Sequence, residues 1–277
     1  MPMSLRVLSL SALLAFAPAV PALGQGAAPA GRPNSAESCP GFVAWRGPHV
    51  VPAAVTALNS GQVRLTYVGH ATFLIESPGL VRIVTDYNDY VRPPVTPDIV
   101  TMNHAHSTHY TNRLDPAIEH VLRGWGDDDG KPARHDLSVG DVHVRNVPTN
   151  IRDWAGGTER HGNSVFIFEI AGLCIAHLGH LHHTLDRQQL DEIGRVDVVL
   201  VPVDGSYTLD LDGMIEVLRA LKAPLMVPMH YFSAYTLERF LTRVRQDWGV
   251  EFSETPSVVL SRSMLPQTPK LLVLPGH

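Results

Sequence analysis

His104-Ala105-His106-Ser107-Thr108-His109 puts three imidazoles within six residues. Neutral imidazole is a preferred ligand of zinc and other transition metals, so the first chemistry this run suggests is metal binding. Two ligands one residue apart can meet on one ion only where the backbone is extended or turning, because a helix would splay their rings by about 200°. The run therefore belongs on a loop. The segment before it, Pro97 to Met102, is β-branched and apolar and reads as the buried strand that holds the loop. Two more histidine groups follow strand-like runs in the same way: His177, His180, His182 and His183 after Leu173-Cys174-Ile175, and His230 after Leu225-Met226-Val227. Three strand ends that each deliver histidine point to metal binding rather than packing. His49, His120, His135, His143 and His277 stand singly and read as surface or capping residues.

The order of these groups resembles the metallo-β-lactamase-fold hydrolases, and most of all their ascorbate-6-phosphate lactonase-like branch. That family carries an H-x-H-x-D-H loop after a strand, then His-Leu-Gly-Asp, then a last histidine. The run Leu65 to Glu76 and the segment Gly162-Asn163-Ser164-Val165-Phe166 are also similar to that branch, so the likeness spans about Val63 to Tyr231. It implies an α/β fold of the αββα sandwich type and hydrolysis by a metal-activated water. It further implies His104, His106 and His177 as ligands of one metal, and His109 and His230 as ligands of a second.

Two departures stand out. Thr108 occupies the place of the aspartate in the loop motif, and His180 that of the bridging aspartate. Both missing groups are anionic; a neutral imidazole does not bridge two metals, and a threonine hydroxyl is a weak ligand. Three arrangements stay open. One metal sits on His104, His106 and His177 with water in its fourth position; or two persist, with His180, His109 and His230 forming an all-nitrogen site; or the centre binds without catalysing. Zn²⁺, as one or two ions, is the expected cofactor, although an all-histidine set suits copper and nickel as well.

In the hydrolytic case a divalent ion lowers the pKa of its water to about 7 and polarises the oxygen under attack. His180 and His182 are the expected catalytic residues, with His182 or His183 protonating the leaving group, since an unperturbed imidazole titrates near pH 6.5. His70 and Asn163 resemble pocket positions and are expected to bind substrate. Asp86 resembles the family's structural aspartate that pins the ligand loop, and Asp204, followed by Gly205, reads as a turn residue beside the site. The expected substrate is a small ester, lactone or phosphoester. The alternatives are a non-catalytic metal-binding or sensing protein on the same fold, and a phospholipid-cleaving hydrolase, for which Trp154 beside Ala155-Gly156-Gly157 is the sequence feature to note.

Arg6 followed by the apolar stretch Val7 to Val20 and small residues at Ala22 and Gly24 reads as a signal peptide over 1–24, which implies a periplasmic or secreted protein. A flexible Ala-, Gly- and Pro-rich leader is expected over 25–50, and one hydrolase domain over 51–277. No later apolar run is long enough for a transmembrane helix. The formal charge of −5 without basic runs argues against nucleic-acid binding. Oligomeric state leaves no readable mark. The acidic stretch Gly124 to Gly130 reads as an exposed loop rather than a calcium site. Of the two cysteines, Cys174 is expected in the core, and a disulfide with Cys39 stays open. Strands are expected at Val63–Val68, Thr72–Ile75, Val81–Thr85, Ile99–Met102, Val142–Val147, Val165–Ile170, Leu173–Ala176, Val198–Val203 and Leu225–Val227, and helical periodicity near 185–193, 214–221 and 237–244.

Overall fold

The computed structural model describes residues 57–127 and 129–276. The expected signal peptide and leader, Cys39 and any disulfide it makes lie outside these residues. The described chain opens with strands β1 (Val63–Gly69), β2 (Thr72–Glu76), β3 (Arg82–Val84), β4 (Ile99–Met102) and β5 (His120–Arg123). Then come β6 (Asp136–Val139), β7 (Val142–Arg152), β8 (Thr158–Ile170), β9 (Leu173–His177), helix α1 (Arg187–Ile193), β10 (Val198–Pro202), α2 (Leu211–Leu221), β11 (Leu225–Met229), α3 (Ala234–Val244), β12 (Gly249–Phe252), β13 (Ser257–Leu260) and β14 (Lys270–Val273).

These strands make two mixed sheets that face each other. One runs β13-β1-β2-β3-β4-β5, the other β12-β14-β11-β10-β9-β8-β7-β6. In β1 every second residue is fully buried, the period-2 signature of a strand with one face on a core. β10 and β11 are buried at every position, as parallel strands covered on both faces must be. Val63, Leu65, Phe73, Ile75 and Ile83 of the first sheet meet Phe166, Phe168, Ile175, Leu200 and Val227 of the second in the layer between them.

A second apolar layer lies outside the larger sheet, where Val165, Ile167, Val199 and Val201 pack on Met214, Val217 and Leu218 of α2 and Phe240, Leu241 and Val244 of α3. Each helix starts at a side-chain cap: Asp186 with Gln189 in a reciprocal pair, Asp210 on the N–H groups of Asp212 and Gly213, and Ser233 on that of Thr236. Outside the smaller sheet, Tyr87 and Ile118 from loops cover Leu74, Val84, Val100 and Met102. Pro93, Pro94, Pro97 and Pro116 break up that covering segment, so among the described residues the helical layer sits on the larger sheet alone. Cys174 is only half-buried, and Arg195 Nη2 donates to its Sγ at 3.2 Å, so it does not fill the core as expected.

Candidate metal centre

β9, β10 and β11 run parallel, so their C-terminal ends open at one edge of the larger sheet. His180 and His182 follow β9, Asp204 follows β10, and His230 follows β11. The smaller sheet brings His70 on the β1–β2 turn and His104, His106 and His109 on the loop after β4. The two sheets are joined at this edge by the main chain itself: His230 N–H donates to His70 O at 2.7 Å, and Ser164 N–H donates to Asn103 O at 3.2 Å. His70, Asp86 and His230 all hold left-handed backbone, with φ of 52°, 44° and 54°. Such conformations cost about 1–3 kcal/mol each and persist where the surroundings impose them.

His180 is the hub of the rings. Its centroid lies 5.2 Å from His104, 5.9 Å from His106, 4.6 Å from His109, 4.7 Å from His182 and 5.1 Å from His230. Among the described residues, His70, His109 and His230 form a group whose ligand nitrogens all fall within 4.8 Å of one another. His109 Nε2 is 3.2 Å from His230 Nε2 and 2.8 Å from His180 Nδ1.

This arrangement fits a metal. His109 Nδ1 meets Asp86 Oδ2 at 2.6 Å, which leaves Nε2 one lone pair to satisfy two nitrogen neighbours. A proton can serve only one of them, whereas a cation can serve all three. Two ligands of one tetrahedral ion with Zn–N bonds of 2.0–2.1 Å lie roughly 3.3 Å apart, close to the His109–His230 spacing. His230 Nδ1 in turn lies 3.0 Å from Asp204 Oδ2, so both histidines carry a buried carboxylate on the nitrogen that faces away. That is the usual support for a metal-binding imidazole.

The electrostatics agree. Burial, reinforced by the neighbouring imidazoles, holds His70, His109 and His180 well below the ordinary histidine range. Burial also lowers His104 and His106 to about 4. These five rings are therefore neutral at pH 7, the form that binds metal. Burial pushes Asp86 up to about 7, against the pull of His177 and the Asn103 N–H. Burial acts on Asp204 in the same direction, but His230 and the Thr208 hydroxyl overrule it and hold that carboxyl low.

Several sequence expectations need correction. His177, expected to complete a metal site with His104 and His106, turns away: its Nε2 donates to Ala71 O at 2.8 Å and its ring packs against Phe73. As the last residue of β9 it points into the layer between the sheets, where strand alternation sends it. Asn163, expected to touch substrate, has its amide committed inside the protein. Its Nδ2 donates to Thr149 Oγ1 and Leu178 O, and its Oδ1 accepts from His180 N–H at 2.9 Å, so it positions His180. His182 is not a proton donor of ordinary pKa, because burial and then Arg152 lower it to about 3. Its Nδ1 accepts the Arg152 N–H at 2.8 Å, which fixes the proton of the neutral ring on Nε2.

Asp86 pins the ligand loop, accepting Asn103 N–H on Oδ1 as well as His109 on Oδ2. Asp204 is both a turn residue and a site residue, since its Oδ1 accepts the N–H groups of Ser206, Tyr207 and Thr208. Thr108 braces His106, with Oγ1 3.0 Å from Nδ1, and His104 Nδ1 donates to Gly162 O at 2.6 Å. His70, read as a pocket residue, stands inside the ligand group, a placement its spacing from Gly69 alone did not reveal.

The β-lactamase superfamily domain matches residues 64–230, which takes in every histidine of this centre. The chain belongs to that superfamily. It is 26% identical over 196 residues to a protein of Archaeoglobus fulgidus named a metal-dependent hydrolase, covering 61% of this chain and 83% of the relative. It is 27% identical over 183 residues to a protein of the same description from Methanoculleus marisnigri, covering 61% and 81%. Among solved structures, a candidate Zn-dependent hydrolase of the metallo-β-lactamase superfamily from Thermotoga maritima aligns with a TM-score of 0.57 and 29% identity over 78% of this chain and 100% of that one. A candidate metal-dependent hydrolase from Parabacteroides distasonis shares the fold, with a TM-score of 0.51, 18% identity, and coverage of 66% and 88%. Within the histidine cluster the carboxylates of Asp86 and Asp204 contact His109 and His230 on their Nδ1 side.

Proposed function

We propose that this protein is an exported, metal-dependent hydrolase of a small ester, lactone or phosphoester, with zinc as its resident ion. The observation that carries the reading is the spacing of His109 Nε2 and His230 Nε2 at 3.2 Å, with a buried carboxylate behind each ring. Superfamily membership and the metal-dependent hydrolases among the relatives support it. The lactonase-like branch supports the lactone as one substrate class, and the apolar run from Val7 to Val20 supports export. Among the described residues, no helix is long and apolar enough to cross a membrane.

His109, His230 and their neighbours would hold the ion. When bound, a divalent ion supplies a water of pKa about 7 and a positive charge for the oxygen under attack. The chain's own part is positioning. Asp86 and Asp204 fix the rings of His109 and His230, and Asn163 fixes the main chain of His180. His182 Nε2 is buried without a protein partner and carries a proton, so it offers a hydrogen bond to an oxygen entering beside His180.

A second reading, a metal-binding protein without turnover, draws on Thr108 and His180 in place of the superfamily carboxylates. One experiment separates the two. Tag-free protein is assayed for metal by elemental mass spectrometry and for turnover of an aryl ester, a lactone and a phosphodiester, with and without chelator, beside His109→Ala. Hydrolysis of one class that is lost on chelation, restored by zinc and absent in His109→Ala is the expected result. Tight metal binding with no turnover of any class would favour the second reading.

A further inference from the structure

The superfamily pattern leaves this centre short of anionic ligands, and the structure supplies a different atom nearby. His70 comes from the β1–β2 turn, outside all three histidine groups that follow strands. Its ring centroid lies 4.1 Å from that of His230 and 5.3 Å from that of His109, while His109 and His230 are 5.1 Å apart. All three residues are buried. The geometry is fixed through the main chain: His70 O accepts both the His230 N–H at 2.7 Å and the Tyr67 hydroxyl at 2.9 Å. Holding a histidine at φ 52° requires such a clamp, and His230 at φ 54° sits on its other side.

We propose that His70 is a further metal ligand beside His109 and His230, forming a nitrogen-only site that selects late transition ions. The inference rests on the metal-dependent reading above. It assigns a ligand where the superfamily pattern has none, and it accounts for the lost carboxylates. The charge of the ion is offset by Asp86 and Asp204, which touch His109 and His230 from behind, while the layer facing the ion stays neutral. Imidazole layers suit zinc, copper and nickel, whereas magnesium, calcium and manganese prefer carboxylate, carbonyl and water oxygens. The site therefore discriminates by donor type.

The test is spectroscopic and does not depend on turnover. Metal-free full chain is titrated with Co²⁺, followed by visible absorption, and with Cu²⁺, followed by the nitrogen couplings in its electron paramagnetic resonance spectrum. Mn²⁺ serves as the oxygen-preferring competitor. The variant is His70→Asn, because asparagine tolerates the left-handed backbone that alanine resists. Circular dichroism checks its fold. The expected result is Co²⁺ binding at least tenfold weaker in His70→Asn, one nitrogen coupling fewer with Cu²⁺, and Mn²⁺ at least a hundredfold weaker than Co²⁺ in the wild type. Equal Co²⁺ affinity and equal nitrogen count in wild type and variant would overturn the proposal while leaving the hydrolase reading intact. Should the variant fail to fold, the wild-type spectrum decides: fewer than three nitrogen couplings, or Mn²⁺ binding as tightly as Co²⁺, sinks the idea.

Discussion

Asp204 does two jobs with two oxygens, and they can be separated. Oδ1 closes the turn through the N–H groups of Ser206, Tyr207 and Thr208, while Oδ2 faces His230 Nδ1 at 3.0 Å and accepts the Thr208 hydroxyl at 2.6 Å, a contact the hydroxyl can keep by turning to accept from an amide. Asp204→Asn keeps an oxygen for the turn but turns an amide N–H₂ toward His230. That donor favours the tautomer with its proton on Nε2, where the metal needs a lone pair. Metal affinity, measured by competition with a chromophoric chelator, is expected to fall about 10–100-fold with little change in stability. Asp204→Ala is expected to lose affinity and stability together. At this scale the sequence told which residue types gather, because His104, His106, His109, His180 and His230 all follow strand ends. It did not tell where a ring points. His177 is one strand residue earlier than the loop and so faces inward to Ala71, and Asn163 spends its amide on Thr149, Leu178 and His180.

The element that carries His180 is a tight loop after β9, and Gly179 is its hinge point. Gly179 has φ 60°, and a Cβ there would lie 2.2 Å from Asn103 Nδ2. Asn103 cannot easily give way, because Nδ2 donates to Ser164 O at 2.7 Å and its backbone N–H is held by Asp86. Gly179→Ala is therefore expected to destabilise the fold by about 1–3 kcal/mol in urea unfolding and to weaken metal binding, through the displaced hub. Unchanged metal affinity would show that His180 is not needed at the centre. The strands that hold the site were legible because their apolar residues are β-branched and buried: β1, β2, β4, β7, β8, β9 and β11 cover the runs read from the sequence, and β3 and β10 fall inside theirs. The three helices were legible from their spaced apolar residues. Missed were β5, β6, β12 and β13, whose mostly exposed or half-exposed residues carry weak apolar signals, and β14, a buried but four-residue run, Lys270–Val273. The length of β7 and β8 was also missed. Their polar outer halves, Thr149 to Arg152 and Thr158 to His161, pair beyond the core and end at Trp154, which is 69% exposed.

Taken whole, the molecule is two sheets whose shared edge is held by histidine, and that makes its stability answer to both protons and metal. In the unfolded chain an imidazole titrates near 6.5. In the folded protein burial lowers His104 and His106 to about 4 and His182 to about 3. Between pH 4 and 6.5 these three rings make the unfolded state bind more protons, and they outnumber Asp86, which burial pushes up to about 7 and which opposes them, so stability rises with pH across that window. A metal held as proposed would add to the folded state alone, because His70 and His109 come from the smaller sheet and His230 from the larger, and no such arrangement survives unfolding. At a free concentration a hundred times the dissociation constant it contributes about 2.7 kcal/mol. For a domain of this size that corresponds to a rise in Tm of about 5–10 °C. Calorimetry of the metal-free and zinc-loaded protein at pH 7 and pH 5 checks both statements at once. The metal-free Tm is expected to be higher at pH 7, and zinc is expected to raise Tm at both pH values, because burial keeps the rings of His70, His109 and His180 neutral in the folded protein well below pH 6.5. No rise in Tm with zinc at either pH would mean that the folded protein holds no stabilising ion.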